Sequence, residues 1–284
     1  LGLLIPPSIM MIVYGIVAQQ SISRLFIAGI LPGVLLVSLF MGYVIIWSLL
    51  NPKQVPASDI KMSFASKLWE SRRLIPVIIL ITSVIGAIYG GIATPTEAAT
   101  MGVVGALILA KITGSFGWPD FMSSLMSATR TTCMIVLIIL GAAFLSVGMA
   151  FTGIPVALTN WINDMGMSPY MLIFVLTLIY IVLGCFLEGT SMIVLTSSVA
   201  LPMIQSAGLD PIWFGIYLVL VVEMSQITPP VGFNLFVLQS MSGRDILTVT
   251  KASLPFFFLL LFGLILITIW PEIATFLPGL MINR

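Results

Sequence analysis

Between Ser225 and Asn234 the chain reads Ser-Gln-Ile-Thr-Pro-Pro-Val-Gly-Phe-Asn, a polar stretch with two adjacent prolines inside an otherwise apolar segment. Pro229 and Pro230 remove two backbone donors and clash with the preceding turn, so a helix arriving from Trp213 is expected to stop here and restart beyond. In a bilayer, the N–H and C=O groups freed by such a break must be buried in protein or line a wet cavity. The chemistry on offer is oxygen coordination. A half-helix C-terminus presents unpaired carbonyls and a negative dipole end, which suit a hard cation. The half-helix N-terminus that follows, on the Val231 side, suits a carboxylate. The competing reading is that two prolines only kink a spanning helix.

Two carboxylates, Glu188 and Glu223, fall in apolar segments, where burying a charge is costly and an ionisable side chain is by default a functional candidate. Three roles are open to Glu188: ion ligand, acceptor of backbone N–H bonds in a turn, or proton carrier. Glu223 lies two residues before Ser225, about half a turn away, and is placed to bond to a neighbouring helix or turn. Glu97 has a structural explanation, because Thr94-Pro95-Thr96-Glu97 fits a capping box with proline at the first helical position. Histidine is absent, which removes most Ser/His, Cys/His and zinc chemistry. With no paired intramembrane aspartates either, an intramembrane hydrolase lacks its parts, and the chain does not read as an enzyme. Cys133 and Cys185 sit in separate apolar runs and are expected to be small core residues.

The elements that must position these groups are membrane helices. Of 284 residues, 60% are hydrophobic and 7% charged, against about a quarter charged in soluble domains. Mean hydropathy is +1.20. Several apolar runs reach the ~20 residues that span a hydrocarbon core, which predicts an all-α polytopic membrane protein. A formal net charge of +1 offers no footprint for nucleic acid. In order, the pattern predicts an apolar segment over 5–20, a spanning helix over 25–50 and a polar, basic loop over 51–73. Spans over 74–92, 98–110 and 131–151 follow, then an interfacial segment over 153–166. Next come a re-entrant hairpin and a broken span, whose order charge alone does not separate; with the hairpin first, it covers 168–206 with its tip at 184–191, and two half-helices follow, 212–224 and 231–241. Asp210-Pro211 reads as the N-cap and first position of that broken span, and 254–270 is the last crossing. Gly102 and Gly105, and the Gly141-Ala142-Ala143 cluster, predict close helix approach.

This topology puts Lys53, Lys61, Lys67, Arg72, Arg73, Lys111, Arg130, Arg244 and Lys251 on one side, and only Arg24 and Arg284 on the other. By the positive-inside rule the 51–73 loop is expected to be cytoplasmic and the C-terminus periplasmic. The opening Leu1-Gly2-Leu3-Leu4-Ile5-Pro6-Pro7 reads like the interior of a protein, so the chain is expected to be the C-terminal part of something longer.

The chain also resembles itself. An offset of 223 positions pairs Pro6 with Pro229, Pro7 with Pro230, Leu31 with Leu254, Pro32 with Pro255, Leu36 with Leu259 and Trp47 with Trp270. The predicted topology runs the two copies in opposite directions. Opposed duplicated segments mark inverted-repeat secondary transporters, which bind substrate and ions at broken helices. Two proline pairs at symmetric places, each followed by polar groups (Ser8; Gly232 and Asn234), favour the binding-site reading over the simple kink.

With Gly-Leu-Leu-Ile-Pro-Pro-Ser at 2–8, Gly-Ile-Ala-Thr-Pro-Thr-Glu-Ala-Ala at 91–99 and Gln-Ile-Thr-Pro-Pro-Val-Gly-Phe-Asn at 226–234, the chain resembles the large membrane subunit of tripartite ATP-independent periplasmic (TRAP) transporters over its whole length. The resemblance implies an elevator-type fold in which two hairpins and two broken helices carry an organic anion across a bacterial inner membrane with sodium. It also implies that the hairpin precedes its broken helix, which sets the order of 168–206 and 212–241. It also implies two partners: a periplasmic substrate-binding protein and a small membrane subunit. On that reading 1–24, 168–206 and 207–243 form the transport domain, while 25–73, 74–152, 153–167 and 244–284 supply arm, scaffold, interfacial and terminal segments.

The implied sodium site draws on Gly184, Gly189, Ser191, Ser225, Thr228 and Val231, with Gly2 and Ile5 in a mate site whose hairpin partners are not in this chain. Ser225 stands where the resemblance leads one to expect glycine. Substrate is expected at Ser8, Thr190, Gly232 and Asn234, and helix breaking and gating at Pro6, Pro7, Pro229, Pro230 and Glu188. The substrate class is a carboxylate-bearing solute such as a C4-dicarboxylate or sialic acid. Proton coupling through Glu188 or Glu223, and a non-transporting membrane scaffold, are the alternatives.

Overall fold

The structure, a computed structural model, describes residues 2, 4–54, 63, 66, 69–114, 116–228 and 232–281, and the regular elements among them are all helical. They are α1 (Ile9–Val17), α2 (Ile22–Ala28), α3 (Ile30–Leu50), α4 (Ile75–Tyr89), α5 (Pro95–Ile112), α6 (Trp118–Thr152), α7 (Ile154–Asp164), α8 (Pro169–Gly184), α9 (Gly189–Ser206), α10 (Pro211–Ser225), α11 (Phe233–Ser242), α12 (Ile246–Ile269) and α13 (Glu272–Met281). Four stretches are long and apolar enough to cross a membrane: 22–50, 95–112, 118–152 and 246–269. The chain forms two compact units, residues 1–40 with 133–284, and residues 41–132.

The first unit is built around α10. Asp210 starts this helix by accepting from the N–H groups of Ile212 (2.6 Å) and Trp213 (3.2 Å), with Pro211 behind it at the first position. Every later residue except Glu223 is buried. The sequence explains this: α10 is apolar on all faces, and such a helix belongs inside a bundle. Helices α1, α2, α8, α9, α12 and α13 surround it. Its aromatic side chains bury large rings and pass their polar ends to neighbours. Trp213 stacks on Tyr217 at 5.6 Å and donates through Nε1 to the Ile267 carbonyl of α12 at 2.7 Å. The Tyr217 hydroxyl meets that of Thr177 on α8 at 2.9 Å, and Tyr14 of α1 donates to the Pro211 carbonyl at 2.6 Å. Each contact ties a different helix to α10 and gives the polar atoms of Trp213, Tyr217 and Tyr14 a partner. With 15 residues, α10 is roughly 22 Å long, short of a ~30 Å hydrocarbon core.

Within this unit α3 and α12 run antiparallel. Leu36 packs on Gly263, where a Cβ would lie 2.6 Å from the leucine Cδ2, and four residues further along α3 the Phe40 ring meets Phe256 edge-on at 5.1 Å. Rising numbers on one helix against falling numbers on the other define opposed directions. Of the pairs related by the 223-position offset, those from Leu31/Leu254 to Leu36/Leu259 lie on these two helices, and Trp47 of α3 pairs with Trp270 at the C-cap of α12.

The expected 25–50 helix is divided at Gly29, between α2 and α3. Pro32 has no N–H for the Ala28 carbonyl, so the ladder skips one bond there, while Gly29 and Gly33 continue it on either side at 3.1 and 2.9 Å. Gly29 is also where α1 comes close: a Cβ would lie 2.5 Å from the Met11 methyl. The same proline in the second copy, Pro255, sits inside an uninterrupted α12. A further helix follows the last predicted span, α13, which buries Ala274 and Pro278 and packs on α2 and α10. Cys185 is buried as expected, but Cys133 is exposed, because α6 turns most of its surface away from the rest of the chain. Ala142 is buried, while at Gly141 there is open space, so that cluster makes a single close approach.

In the second unit α4 and α5 form an antiparallel pair through the turn at Gly90 and Gly91, the latter at φ +67°. Gly105 faces Leu80 and Gly102 faces Val84, so the two glycines do permit the approach that their spacing predicted. The capping box is present in full: Thr94 Oγ1 accepts from the Glu97 N–H, and the Glu97 carboxylate accepts from the Thr94 N–H at 2.8 Å.

Candidate functional site

The break after α10 is built from short-range bonds. Beyond Ser225 the i→i+4 ladder tightens to i→i+3, with Ile227 donating to Met224 (3.3 Å) and Thr228 to Ser225 (3.1 Å). The chain then folds back on itself. Gly232 donates to the Thr228 carbonyl and Asn234 to the Gln226 carbonyl, both at 3.1 Å, and a Cβ on Gly232 would lie 2.5 Å from the Gln226 oxygen. Only glycine fits that closure. Residues 229–231, and with them Pro229, Pro230 and Val231, lie outside the described residues. Helix α11 starts at Gly232 with no side-chain cap, which leaves its N-terminal end without a carboxylate or hydroxyl acceptor of its own among the described residues.

A second short connection, residues 185–188, joins α8 to α9. Glu188 is the N-cap of α9. Its carboxylate accepts from the N–H groups of Thr190 (3.0 Å) and Ser191 (3.2 Å), from the Ser191 hydroxyl (3.4 Å) and from the Thr190 hydroxyl. A negative charge at a helix N-terminus also meets the favourable end of the dipole. Of the three roles open to Glu188, acceptor of backbone N–H bonds is the one its geometry displays.

The two connections meet. A Cβ on Gly184 would lie 1.9 Å from Ser225 Oγ, and one on Gly189 would lie 2.4 Å from Gln226 Nε2 and 2.2 Å from the Met10 methyl. The ends of α8 and α10 thus converge on Gly184 and Ser225, with the start of α9 beside them. Cys185 Sγ lies 4.0 Å from the Thr228 carbonyl. Ser225 and Thr228 both turn their hydroxyl hydrogens back to their own helix, donating to Val222 (2.7 Å) and Met224 (2.9 Å). Their oxygen lone pairs are thereby oriented away from those carbonyls. Two helix C-termini carry convergent negative dipole ends, and the donors around them are carbonyls and hydroxyls. No cluster of three Cys, Asp or Glu side chains occurs among the described residues. Such an oxygen set matches a hard monovalent or divalent cation rather than a thiophilic metal.

The described sequence-selected residues fall into four places. Gly184, Gly189, Ser225 and Thr228 lie at the junction, and Thr190 and Ser191 lie on the first turn of α9 next to it. Ser8 is buried as the N-cap of α1, accepting from the Met11 N–H at 3.3 Å, and α1 packs along α9. Gly232 and Asn234 open α11. Gly2 is exposed with open space around it, and Ile5 lies against Gly33 of α3, between buried Leu4 and Pro6 and exposed Pro7.

The model of one family, the DctM component of the tripartite ATP-independent periplasmic transporters, matches residues 1–273. The chain belongs to this family. Among relatives of this DctM-type chain, a C4-dicarboxylate TRAP transporter large permease protein of Pseudomonas aeruginosa is 34% identical over 98% of the chain and 65% of the relative. An ectoine TRAP transporter large permease protein of Halomonas elongata is 33% identical over 99% of the chain and 65% of the relative. A sialic acid TRAP transporter permease protein of Haemophilus influenzae is 31% identical over 99% and 46%. The chain thus spans just under two thirds of the length of its large-permease relatives. These relatives are named as permeases, not as enzymes.

Sequence reading gave Gln226 no role, yet it organises the junction of this DctM-family chain. It is only 3% exposed, its Oε1 accepts from Asn234 Nδ2 at 3.1 Å, and its Nε2 faces Gly189. Its signal was present: among Ser225, Gln226, Thr228 and Asn234 it has the longest polar side chain, and a buried amide needs several partners. Met10 and Tyr14 gave no such signal, because their contacts at Gly189 and Pro211 join segments about two hundred residues apart.

Proposed function

We propose that this chain carries the substrate and coupling-ion machinery of a sodium-coupled importer for a carboxylate-bearing organic solute. The observation that carries the reading is the convergence of the α8 and α10 C-termini at Gly184 and Ser225, an oxygen-lined junction beside the helix break. Sodium, when bound, supplies positive charge that neutralises two helix dipole ends. Carbonyls around Gly184, Gly189 and Ser225, the hydroxyls of Ser225, Thr228 and Ser191, and Val231 are the proposed ligands, with Gly2 and Ile5 in the mate site. The start of α11 at Gly232 and Asn234, with Thr190 and Ser8, is the proposed seat of the solute carboxylate.

Family membership supports delivery by an extracytoplasmic binding protein and association with a small membrane subunit; an isethionate TRAP transporter permease of Oleidesulfovibrio alaskensis is named as a combined DctMQ protein. The opposed α3 and α12 support an inverted repeat, and thus the elevator movement of a transport domain containing α1 and α8–α11. The range of relatives, for C4-dicarboxylate, ectoine and sialic acid, supports a shared permease design whose solute is selected elsewhere. A bacterial inner-membrane location with the 51–73 loop in the cytoplasm and the C-terminus in the periplasm completes the proposal.

Uptake by the full-length protein with its partners in proteoliposomes tests the reading. Thr228→Ala is expected to reduce sodium-dependent uptake at least tenfold and raise the sodium concentration needed for half-maximal rate, with assembly intact. Unchanged sodium dependence would sink the site. Proton coupling through Glu188 or Glu223 predicts uptake driven by a pH gradient without sodium, whereas four donors converging on the Glu188 carboxylate favour a positioning role for it. A non-transporting scaffold predicts uptake indifferent to a collapsed sodium gradient.

A further inference from the structure

Where α5 ends and α6 begins, the second unit holds a cleft of about 490 Å3 lined by Leu107, Ile108, Lys111, Phe116, Trp118 and Phe121. That volume is in the ~300–1,000 Å3 range of small-molecule sites. Its wall changes character along its length. Leu107 and Ile108 belong to the last two turns of a helix long and apolar enough to cross a membrane, and Lys111 stands in its final turn. After Gly114, at φ +73°, come three rings joined through Phe121: Phe116 with Phe121 at 6.0 Å, and Trp118 with Phe121 at 5.6 Å. Aromatic rings beside a cation at the end of an apolar helix are the composition of a membrane–water boundary. Among the described residues no carboxylate pairs with Lys111; the nearby acid, Asp120, turns one oxygen to the Gly117 N–H at 2.9 Å.

We propose that this cleft holds one anionic phospholipid, with its phosphate on the Lys111 ammonium and its glycerol and upper acyl segments against the rings and Leu107. The occupant follows from the two ends of the wall. A free phosphate would leave the apolar part in contact with water, and a purely apolar chain would leave the ammonium without a counter-charge. A phospholipid satisfies both, and an anionic headgroup gains over a zwitterionic one because no second charged group on the wall compensates the lysine.

Brominated lipids test this, since they quench tryptophan only on contact. The full-length protein is purified, delipidated and titrated with brominated phosphatidylglycerol or brominated phosphatidylcholine, and the Trp118 contribution is taken as the difference from Trp118→Phe. Phosphatidylglycerol is expected to bind about fivefold more tightly, the effect of one lysine near an anionic surface. Lys111→Gln is expected to erase that preference and Lys111→Arg to keep it. Equal affinity for the two lipids, or a preference that survives Lys111→Gln, overturns the proposal. So does a photocrosslinker at Phe121 that captures a protein chain and no lipid in native membranes.

Discussion

Gly184 and Ser225 approach so closely that a methyl group on Gly184 would stand 1.9 Å from the Ser225 hydroxyl oxygen and 2.2 Å from its Cβ. Gly184 ends α8 and Ser225 ends α10. The absence of one side chain is thus what lets two helix C-termini, with their negative dipole ends, come together. Local sequence makes each helix stop; the glycine brings the stops together.

Gly184→Ala should therefore be costly. The Ser225 Cβ is fixed to a buried helix and cannot swing aside, so α8 and α10 must separate, at about 1–3 kcal/mol for an overpacked interior. Thermal unfolding of the purified protein is expected at lower temperature and, on the sodium-coupled reading proposed above, uptake should fall with it. Removing the obstructing atoms in Gly184→Ala/Ser225→Gly is expected to recover most of the thermal stability. A double variant no more stable than Gly184→Ala would mean that the clash lies elsewhere.

The Glu188 carboxylate bridges the first turn of α9 and both hydroxyls beside it. Replacing it with alanine strips the N-cap, a loss of about 0.5–2 kcal/mol for a typical cap. Glu188→Gln keeps one acceptor oxygen and should fall between wild type and Glu188→Ala in both melting temperature and uptake rate. As a positioning residue Glu188 should leave the pH profile of uptake unchanged in shape when replaced by glutamine. A profile that flattens in Glu188→Gln while stability is preserved would assign it proton transfer instead.

Local punctuation was readable before any coordinates: the Asp210-Pro211 start, the Thr94-to-Glu97 capping box and the Gly102 and Gly105 approach are each set by residues within a few positions or by the absence of a side chain. The stop after Ser225 was equally legible, since proline carries its own geometry. What periodicity could not give was partnership. Gln226 meets Gly189 across the gap between α9 and α10, and Tyr14 meets Pro211 across most of the chain, contacts for which a single sequence holds no local signal. Helix faces were also ambiguous, because in a chain where nearly every helix is apolar all round, an inward cysteine such as Cys185 and an outward one such as Cys133 look alike.

Gln226 offers a separate test of how the break is held. Its side chain and backbone carbonyl both accept from Asn234, at 3.1 Å each, closing a loop that spans the proline pair. Asn234→Ala leaves the amide oxygen of Gln226, a side chain only 3% exposed, without this donor; a loss of about 1–3 kcal/mol is expected for a stranded buried polar group. Gln226→Ala should cost less through this bond, because the Asn234 amide left behind is partly exposed and can turn to water. Since the two residues share one interaction, the double variant should be less destabilised than the sum, with a coupling of at least about 0.5 kcal/mol in a double-mutant cycle. Additive losses would separate the two residues energetically.

Two further glycines make opposite predictions from similar distances. At Gly105 a Cβ would lie 2.4 Å from Leu80 Cδ1, and at Gly263 it would lie 2.6 Å from Leu36 Cδ2. Distance alone would rank Gly105→Ala as the worse change. Leu80, however, is only half-buried, so the far end of its side chain has room to turn, whereas Leu36 is 1% exposed and held between α3 and α12. Alanine also favours a helix over glycine by roughly 0.5–1 kcal/mol, which offsets a small rearrangement and not a blocked one. Gly105→Ala is therefore expected to be neutral or slightly stabilising, and Gly263→Ala to lower the melting temperature by several degrees, on the scale of about 1–3 kcal/mol of overpacking. Equal effects at the two positions in parallel melts would show that contact distance, and not the freedom of the neighbour, sets the cost.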